Sequence, residues 1–168
     1  MTYFFSDLDN TLVYSHRASL PGKRIVVEYL NDHIQSYMTK KTYDFFNESN
    51  GVLLVPTTTR TCEQYARLSE TFAKFGCRYA LVCNGGILLD NNETDSEWLS
   101  ETKRIAGDEL SYLKEASELS LSLFQKESIH YANDIMLYAK TDSPASYAAR
   151  LTSKLNTKSL NVYYDSRK

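Results

Sequence analysis

The sequence predicts an α/β protein, with a parallel sheet in its first half and a mixed α+β layer in its second. Three observations carry that expectation. Two short apolar runs, Val52–Val55 (VLLV) and Tyr79–Cys83 (YALVC), flank an amphipathic stretch at Cys62–Phe75. That is the strand–helix–strand pattern of a parallel βαβ unit. Each of these runs, like the opening Thr2–Ser6 (TYFFS), ends in a polar turn: DLDNT, TTTR and NGG. In parallel sheets ligands sit outside the carboxyl ends of the strands, so this is where a site is expected. Past Asp90 the texture changes to helix, strand, strand, helix, strand, which is α+β order rather than more parallel sheet.

In chain order, Thr2–Ser6 reads as a buried strand that delivers carboxylates at its end. Arg24–Leu30 and Ile34–Thr39 flank Asn31-Asp32-His33 as a hairpin. Tyr43, Phe45 and Phe46 mark a short helix over Lys40–Glu48, stopped by Ser49-Asn50-Gly51. After the Val52–Val55 strand and Pro56-Thr57-Thr58-Thr59-Arg60, the helix at 62–75 carries Tyr65, Leu68, Phe72 and Phe75 on one stripe, with Gly76 at its end. Asn91–Ser96 reads as a loop and a domain boundary, giving core residues 1–88 and a second domain at 89–168. A long helix is expected over Trp98–Phe124, with a break at Gly107. Ile129–Ala132 and Ile135–Lys140 flank Asn133-Asp134 as a second hairpin. A helix from Ser143-Pro144 to Leu155 and a last strand at Leu160–Tyr164 complete the pattern.

Composition bounds the function classes. Of 168 residues, 42% are apolar and 24% charged, ordinary globular proportions that exclude global disorder. The 19 Lys and Arg against 21 Asp and Glu leave a net charge of −2, so no basic field attracts nucleic acid. The 13 tyrosines suit half-buried strands first and a recognition surface second. Three cysteines, Cys62, Cys77 and Cys83, form no CxxC pair, which points to reduced thiols and a cytoplasmic location rather than disulfides or zinc. His16, His33 and His130 have no metal-ligand spacing. An acidic residue at position 7 interrupts any signal-peptide core, and no apolar run reaches the ~18 residues of a membrane helix, so no membrane partner is expected.

The chemistry-bearing segment is Phe4–Val13 (FFSDLDNTLV). Two carboxylates two residues apart, at the end of an apolar strand, do not serve a core, because buried unpaired charge is costly. Asp7 and Asp9 could share a hard divalent cation such as Mg²⁺. One could also attack phosphorus while the other moves protons. The residues read equally well as Asp/Asn turn chemistry with no catalytic duty.

An apolar strand followed by Asp-x-Asp-x-Thr-Leu resembles motif one of the haloacid dehalogenase superfamily of phosphatases. VLLVPTTTR is similar to motif two of the subgroup with a large inserted cap, in which the strand ends in Thr-Gly-Arg; here Thr59 stands in place of Gly. LVCNGGILLD resembles the turn by which that subgroup leaves its core and enters its cap. The resemblance implies a Rossmann-like parallel core with an inserted α+β cap, and a Mg²⁺-dependent phosphatase acting on a small phosphate ester, such as a sugar phosphate, through an aspartyl-phosphate. Carried onto this sequence, it makes Asp7 the nucleophile and Asp9 the general acid/base, both on the metal, Asp9 through its carbonyl. Thr58 would bind the phosphoryl group, assisted by Asn10, Thr11, Thr59 and Arg60. Arg60 reads equally as a structural pair at the start of the following helix. Asn84 and Gly85 would form the cap hinge, and the hairpin near 24–39 sits where the superfamily places a flap.

The family's motif three, a Lys, and motif four, an acidic cluster, have no counterpart. Gly107-Asp108-Glu109 imitates motif four, but it falls within the helical stretch of the second half. Lys154, Lys158 and Lys168 match motif three by residue type alone, and solvated surface is the better reading of each. The expectation is therefore an incomplete core and cap, a fragment with weak Mg²⁺ binding and little turnover. Its first strand would be left as an exposed edge that favours self-association. The competing expectation is a non-catalytic module that binds a phospho-ligand or a partner on the same fold.

Overall fold

The computed structural model describes residues 2–49, 51–124, 128–155 and 160–164. It is a mixed α/β structure with small parallel and antiparallel sheets, and it divides into two compact units, Met1–Ser100 and Glu101–Lys168. Among the described residues no helix is long and apolar enough to cross a membrane.

In the first unit, β1 (Thr2–Ser6) leads through residues 7–13 into an antiparallel sheet of β2 (Tyr14–Ser15), β3 (Arg24–Leu30) and β4 (His33–Thr39), ordered β2-β4-β3. Asn31 and Asp32 both take positive φ, 50° and 63°, the two-residue turn that matches the twist of a hairpin. α1 (Lys40–Glu48) starts at Thr39, whose hydroxyl accepts from the Thr42 amide at 3.1 Å. β5 (Val52–Pro56) then pairs in parallel with β1, from Thr2 opposite Val52 to Ser6 opposite Pro56. α2 (Cys62–Ala66) and α3 (Ser69–Lys74) connect β5 to β6 (Tyr79–Val82). β6 aligns in parallel beside the end of β5 through a bridge between Thr57 and Leu81. It also forms an antiparallel sheet with β7 (Ile87–Asp90) and β8 (Glu93–Thr94), ordered β6-β7-β8.

Contiguous aromatic contacts tie the helices to the first strand. Phe4 lies 6.1 Å from Phe46 between ring centres, Phe46 lies 5.9 Å from Phe75, and Phe75 lies 5.8 Å from Phe72. Leu8, Met38, Leu68, Phe72, Val82 and Ile87 are fully buried. Burial of such side chains contributes about 1.5–3 kcal/mol each and holds the strand ends in place.

In the second unit, α4 (Ser96–Ala106), which begins in the first, gives way at Gly107 to α5 (Glu109–Leu123), followed by β9 (Ser128–Ala132), β10 (Met136–Lys140) and α6 (Pro144–Lys154). Gly107 takes φ 54°, which breaks the long helical stretch where expected. β9 and β10 form an antiparallel pair around Asn133 and Asp134, both at positive φ. Phe124 stacks on Tyr147 at 4.0 Å, and Leu151 completes a core against which Leu119, Ile129, Leu155 and Val162 pack.

Four expectations are corrected. The helix expected over 62–75 is two short helices. The Ser69 hydroxyl bonds the Ala66 carbonyl at 2.7 Å, competing for an acceptor that a continuous helix would give to the residue-70 amide. Leu160–Tyr164 forms no strand: Val162 packs inward and Tyr163 is 88% exposed, but an alternating pattern needs a ladder partner to become a strand. β1 is not the buried strand its apolar run suggests but an exposed edge, as an incomplete core implies: Tyr3, Phe4 and Phe5 are open to solvent because β5 is its only ladder partner among the described residues. Residues 91–96 are not a plain loop: Asn91 and Asn92 turn a β7–β8 hairpin. Of the lysines weighed for motif three, Lys154 is exposed at the end of α6, and Lys158 and Lys168 lie outside the described residues.

Candidate functional site

The three polar strand ends meet. The Thr57 amide donates to the Ser6 carbonyl at 2.8 Å, joining the end of β1 to the end of β5. The Thr58 amide donates to the Leu81 carbonyl at 2.9 Å, and the Asn84 amide donates to the Thr58 carbonyl at 3.0 Å. The Cys83 amide closes on the Arg60 carbonyl at 2.8 Å. DLDNT, TTTR and NGG are therefore held side by side at the carboxyl ends of three parallel-aligned strands, where parallel sheets place ligands.

The 7–13 loop sorts its residues by burial. Leu8, Leu12 and Val13 are buried, while Asp7, Asp9, Asn10 and Thr11 face solvent. The Leu8 carbonyl accepts amides from Leu12 at 2.9 Å and Val13 at 2.8 Å, and Asn10 turns the chain at φ 63°. The apolar residues anchor the loop and leave the polar ones presented. Asp7 has a Thr11 hydroxyl donating to its Oδ2 at 3.0 Å.

Asp9 is held quite differently. Arg60 donates to it from Nε at 2.9 Å and from Nη2 at 2.8 Å, a fork that fixes both carboxylate oxygens. The same guanidinium reaches Glu28, from Nη1 at 3.0 Å and Nη2 at 3.1 Å. Glu28 is only 2% exposed. It also accepts from Arg67 Nε at 2.8 Å and from the Ser36 hydroxyl at 2.6 Å. Burial alone would push the Glu28 carboxyl up, but hydrogen bonds from Arg60, Ser36 and Arg67 outweigh it and hold it below the usual carboxylate range. For Arg60, burial opposes the charge, and hydrogen bonds to Asp9 and Glu28 reverse that and raise its basicity.

Thr58 is 3% exposed, and its hydroxyl oxygen accepts the Arg60 amide at 3.2 Å. Thr59 is exposed beside it. Cys83, Asn84 and Gly85 all take left-handed backbone, at φ 50°, 62° and 86°, and the Trp98 indole donates to the Gly85 carbonyl at 3.0 Å. Cys83 is a buried residue with a Cβ in that region, a conformation that surrounding structure must hold against strain. Its thiol is pushed up to about 11, chiefly by burial, so the thiolate is disfavoured.

Sequence reasoning missed Glu28, Ser36 and Arg67. Glu28 lies at a β-bulge, where the β3–β4 register shifts on both sides of it and buries Val27 and Glu28 consecutively. A period-two reading cannot place both residues inside. Among the described residues no three His, Cys, Asp or Glu side chains converge to hold a metal. Asp7 and Asp9, the acids expected to hold Mg²⁺, both face solvent, and Asp9 spends both carboxylate oxygens on Arg60. They do not form a closed cage. Comparison with protein-family models and with curated proteins gives no match.

Proposed function

We propose that this chain carries the nucleophile side of a Mg²⁺-dependent phosphatase site of haloacid dehalogenase type. The observation that supports it most is the convergence of the DLDNT, TTTR and NGG turns at one end of parallel-aligned strands, tied by the Ser6–Thr57 and Thr58–Asn84 backbone bonds. Asp7, solvent-facing and oriented by Thr11, is the nucleophile. Its carboxylate oxygen bonds to phosphorus as the ester bond breaks, and Asp9, in its acid form and with one oxygen released from Arg60, delivers a proton to the departing alkoxide. Asp9 then removes a proton from the water that cleaves the aspartyl-phosphate, releasing phosphate and restoring Asp7. Asp7 and the Asp9 carbonyl would hold Mg²⁺, which would supply neutralisation of phosphoryl charge. Thr58, with Asn10, Thr11, Thr59 and the Asn84-Gly85 turn, lines the place of the phosphoryl oxygens. Arg60 is assigned to fixing Asp9, because both edges of its fork already meet carboxylates. A small phosphate ester in the cytoplasm is the substrate class this reading implies.

The test is Mg²⁺-dependent phosphate release from an aryl phosphate, together with Mg²⁺-dependent binding of beryllium fluoride, which mimics a phosphorylated carboxylate. The expected result is slow release and saturable binding, both abolished by Asp7→Asn. Asp9→Asn should slow release about a hundredfold while sparing binding. Undiminished release by Asp7→Asn would overturn the reading. A second reading, a phospho-ligand-binding module without turnover, is favoured by one observation: Asp9 is already paired with Arg60. Binding without any phosphate release identifies it.

A further inference from the structure

Two nucleophilic side chains of the first unit, Cys62 and Cys83, play no part in the strand-end chemistry, and the fold brings them together. Cys62 is the first residue of α2, set there by a capping box in which the Thr61 amide donates to Gln64 Oε1 at 3.0 Å and the Gln64 amide donates to the Thr61 hydroxyl at 3.2 Å. Cys83 follows β6, and its amide on the Arg60 carbonyl and the Asn84 amide on the Thr58 carbonyl tie that turn to the chain just before α2. The two thiols lie within hydrogen-bonding contact of each other. The Cys62 amide also donates to the Cys83 sulfur, and the Thr94 hydroxyl donates to the Cys62 sulfur. Both cysteines are free, Cys62 half-buried and Cys83 buried. Cys77 differs: burial alone pushes its thiol up to about 12.

We propose that Cys62 and Cys83 form a dithiol modification site that a low-molecular-weight disulfide, of the oxidised glutathione class, converts to an intramolecular disulfide. Two thiols held in contact by the fold present a high effective concentration to each other, so the second exchange step outruns capture by another small molecule. Cys62, the more accessible of the two, loses its proton to water and attacks one sulfur of the small disulfide. A bond forms between those sulfurs, and the other half leaves as a thiolate. The Cys83 thiol then gives up its proton, its sulfur bonds to that of Cys62, and the second small thiolate leaves. Two protein thiols are thereby oxidised by two electrons, and one small disulfide is reduced to two thiols. Burial raises both protein thiols, which slows the exchange at neutral pH. The new bond links the start of α2 to the turn after β6, beside Thr58, Arg60 and Asn84. It requires no phosphoryl chemistry, so either proposal can fail alone.

The full chain, reduced and then freed of reductant, is incubated with oxidised glutathione and read by intact mass and peptide mapping. The expected product has lost two hydrogens, joins the Cys62 and Cys83 peptides, and leaves Cys77 open to alkylation after unfolding. Dithiothreitol should return it to the free thiols. In glutathione redox buffers the folded chain should favour this disulfide at least about tenfold over the chain in urea, where all three thiols compete. Cys83→Ser removes the second thiol, so a glutathione adduct should accumulate on Cys62 instead. Mapping of the unsubstituted chain keeps the test independent of how that variant folds. Four results would overturn the proposal: no oxidation, a glutathione adduct that persists on Cys62 of the unsubstituted chain, disulfides to Cys77 formed as readily, or no preference for the folded chain.

Discussion

The two units treat buried polar groups in opposite ways. In the first, the buried carboxylate of Glu28 is met by Ser36, Arg60 and Arg67, and Arg60 passes the constraint on to Asp9. In the second, the buried hydroxyls of Ser120 and Tyr147 have no partner among the described residues. A fully paired network in a low-dielectric setting fixes its members in one geometry, whereas an unpaired group destabilises the fold until something meets it. The first arrangement holds the exposed Asp9 in one geometry, and the second leaves two desolvated hydroxyls whose cost the fold carries.

Glu28→Ala should give the largest effect. It leaves two guanidiniums facing each other across the vacated site, and removing one member of a buried pair costs about 3–5 kcal/mol. Urea unfolding should show the full loss, and a loss under about 1 kcal/mol would mean that water substitutes for the carboxylate. The same network sets a pH dependence. The Glu28 carboxyl is lowered below its ordinary value of 4.5, so the folded chain binds fewer protons than the unfolded chain just below that pH. The stabilisation is complete above pH 4.5 and is lost as pH falls through the lowered folded value. Glu28→Gln should flatten this slope, as read from unfolding midpoints on either side of that pH, while lowering stability at neutral pH.

Much of this contrast was not legible in the sequence. The strand ends were, because an apolar run followed by Asp, Thr or Asn-Gly announces where a parallel strand stops. The hairpin turns at Asn31-Asp32 and Asn133-Asp134 were too, since those residues tolerate the left-handed backbone found there. Asn91-Asn92 has the same chemistry, but its second strand, Glu93–Thr94, has only two residues and gives no periodic signal. Glu28 was hidden by its bulge, and Arg67 by the helix break that turns it toward β3. The unpaired hydroxyls could not be read at all. Ser120 and Tyr147 sit in ordinary helical pattern, and whether a partner arrives is decided by packing between α5, α6 and the chain at 160–164.

Two serine truncations test the contrast most directly, because the chemical change is the same and the expected signs differ. Ser36→Ala removes a 2.6 Å hydrogen bond to a buried carboxylate and should destabilise the chain by about 1.5–3 kcal/mol. Ser120 is 0% exposed in the last turn of α5, and its hydroxyl has no partner among the described residues. Ser120→Ala removes a desolvated group that gains nothing and replaces it with the best helix former, so it should stabilise the chain by about 0.5–1 kcal/mol. The smallest effect is the sharpest, since a cavity left by one oxygen is too small to offset both gains. If Ser120→Ala destabilises instead, the Ser120 hydroxyl has a partner in solution, and the contrast between the units rests on Tyr147 alone.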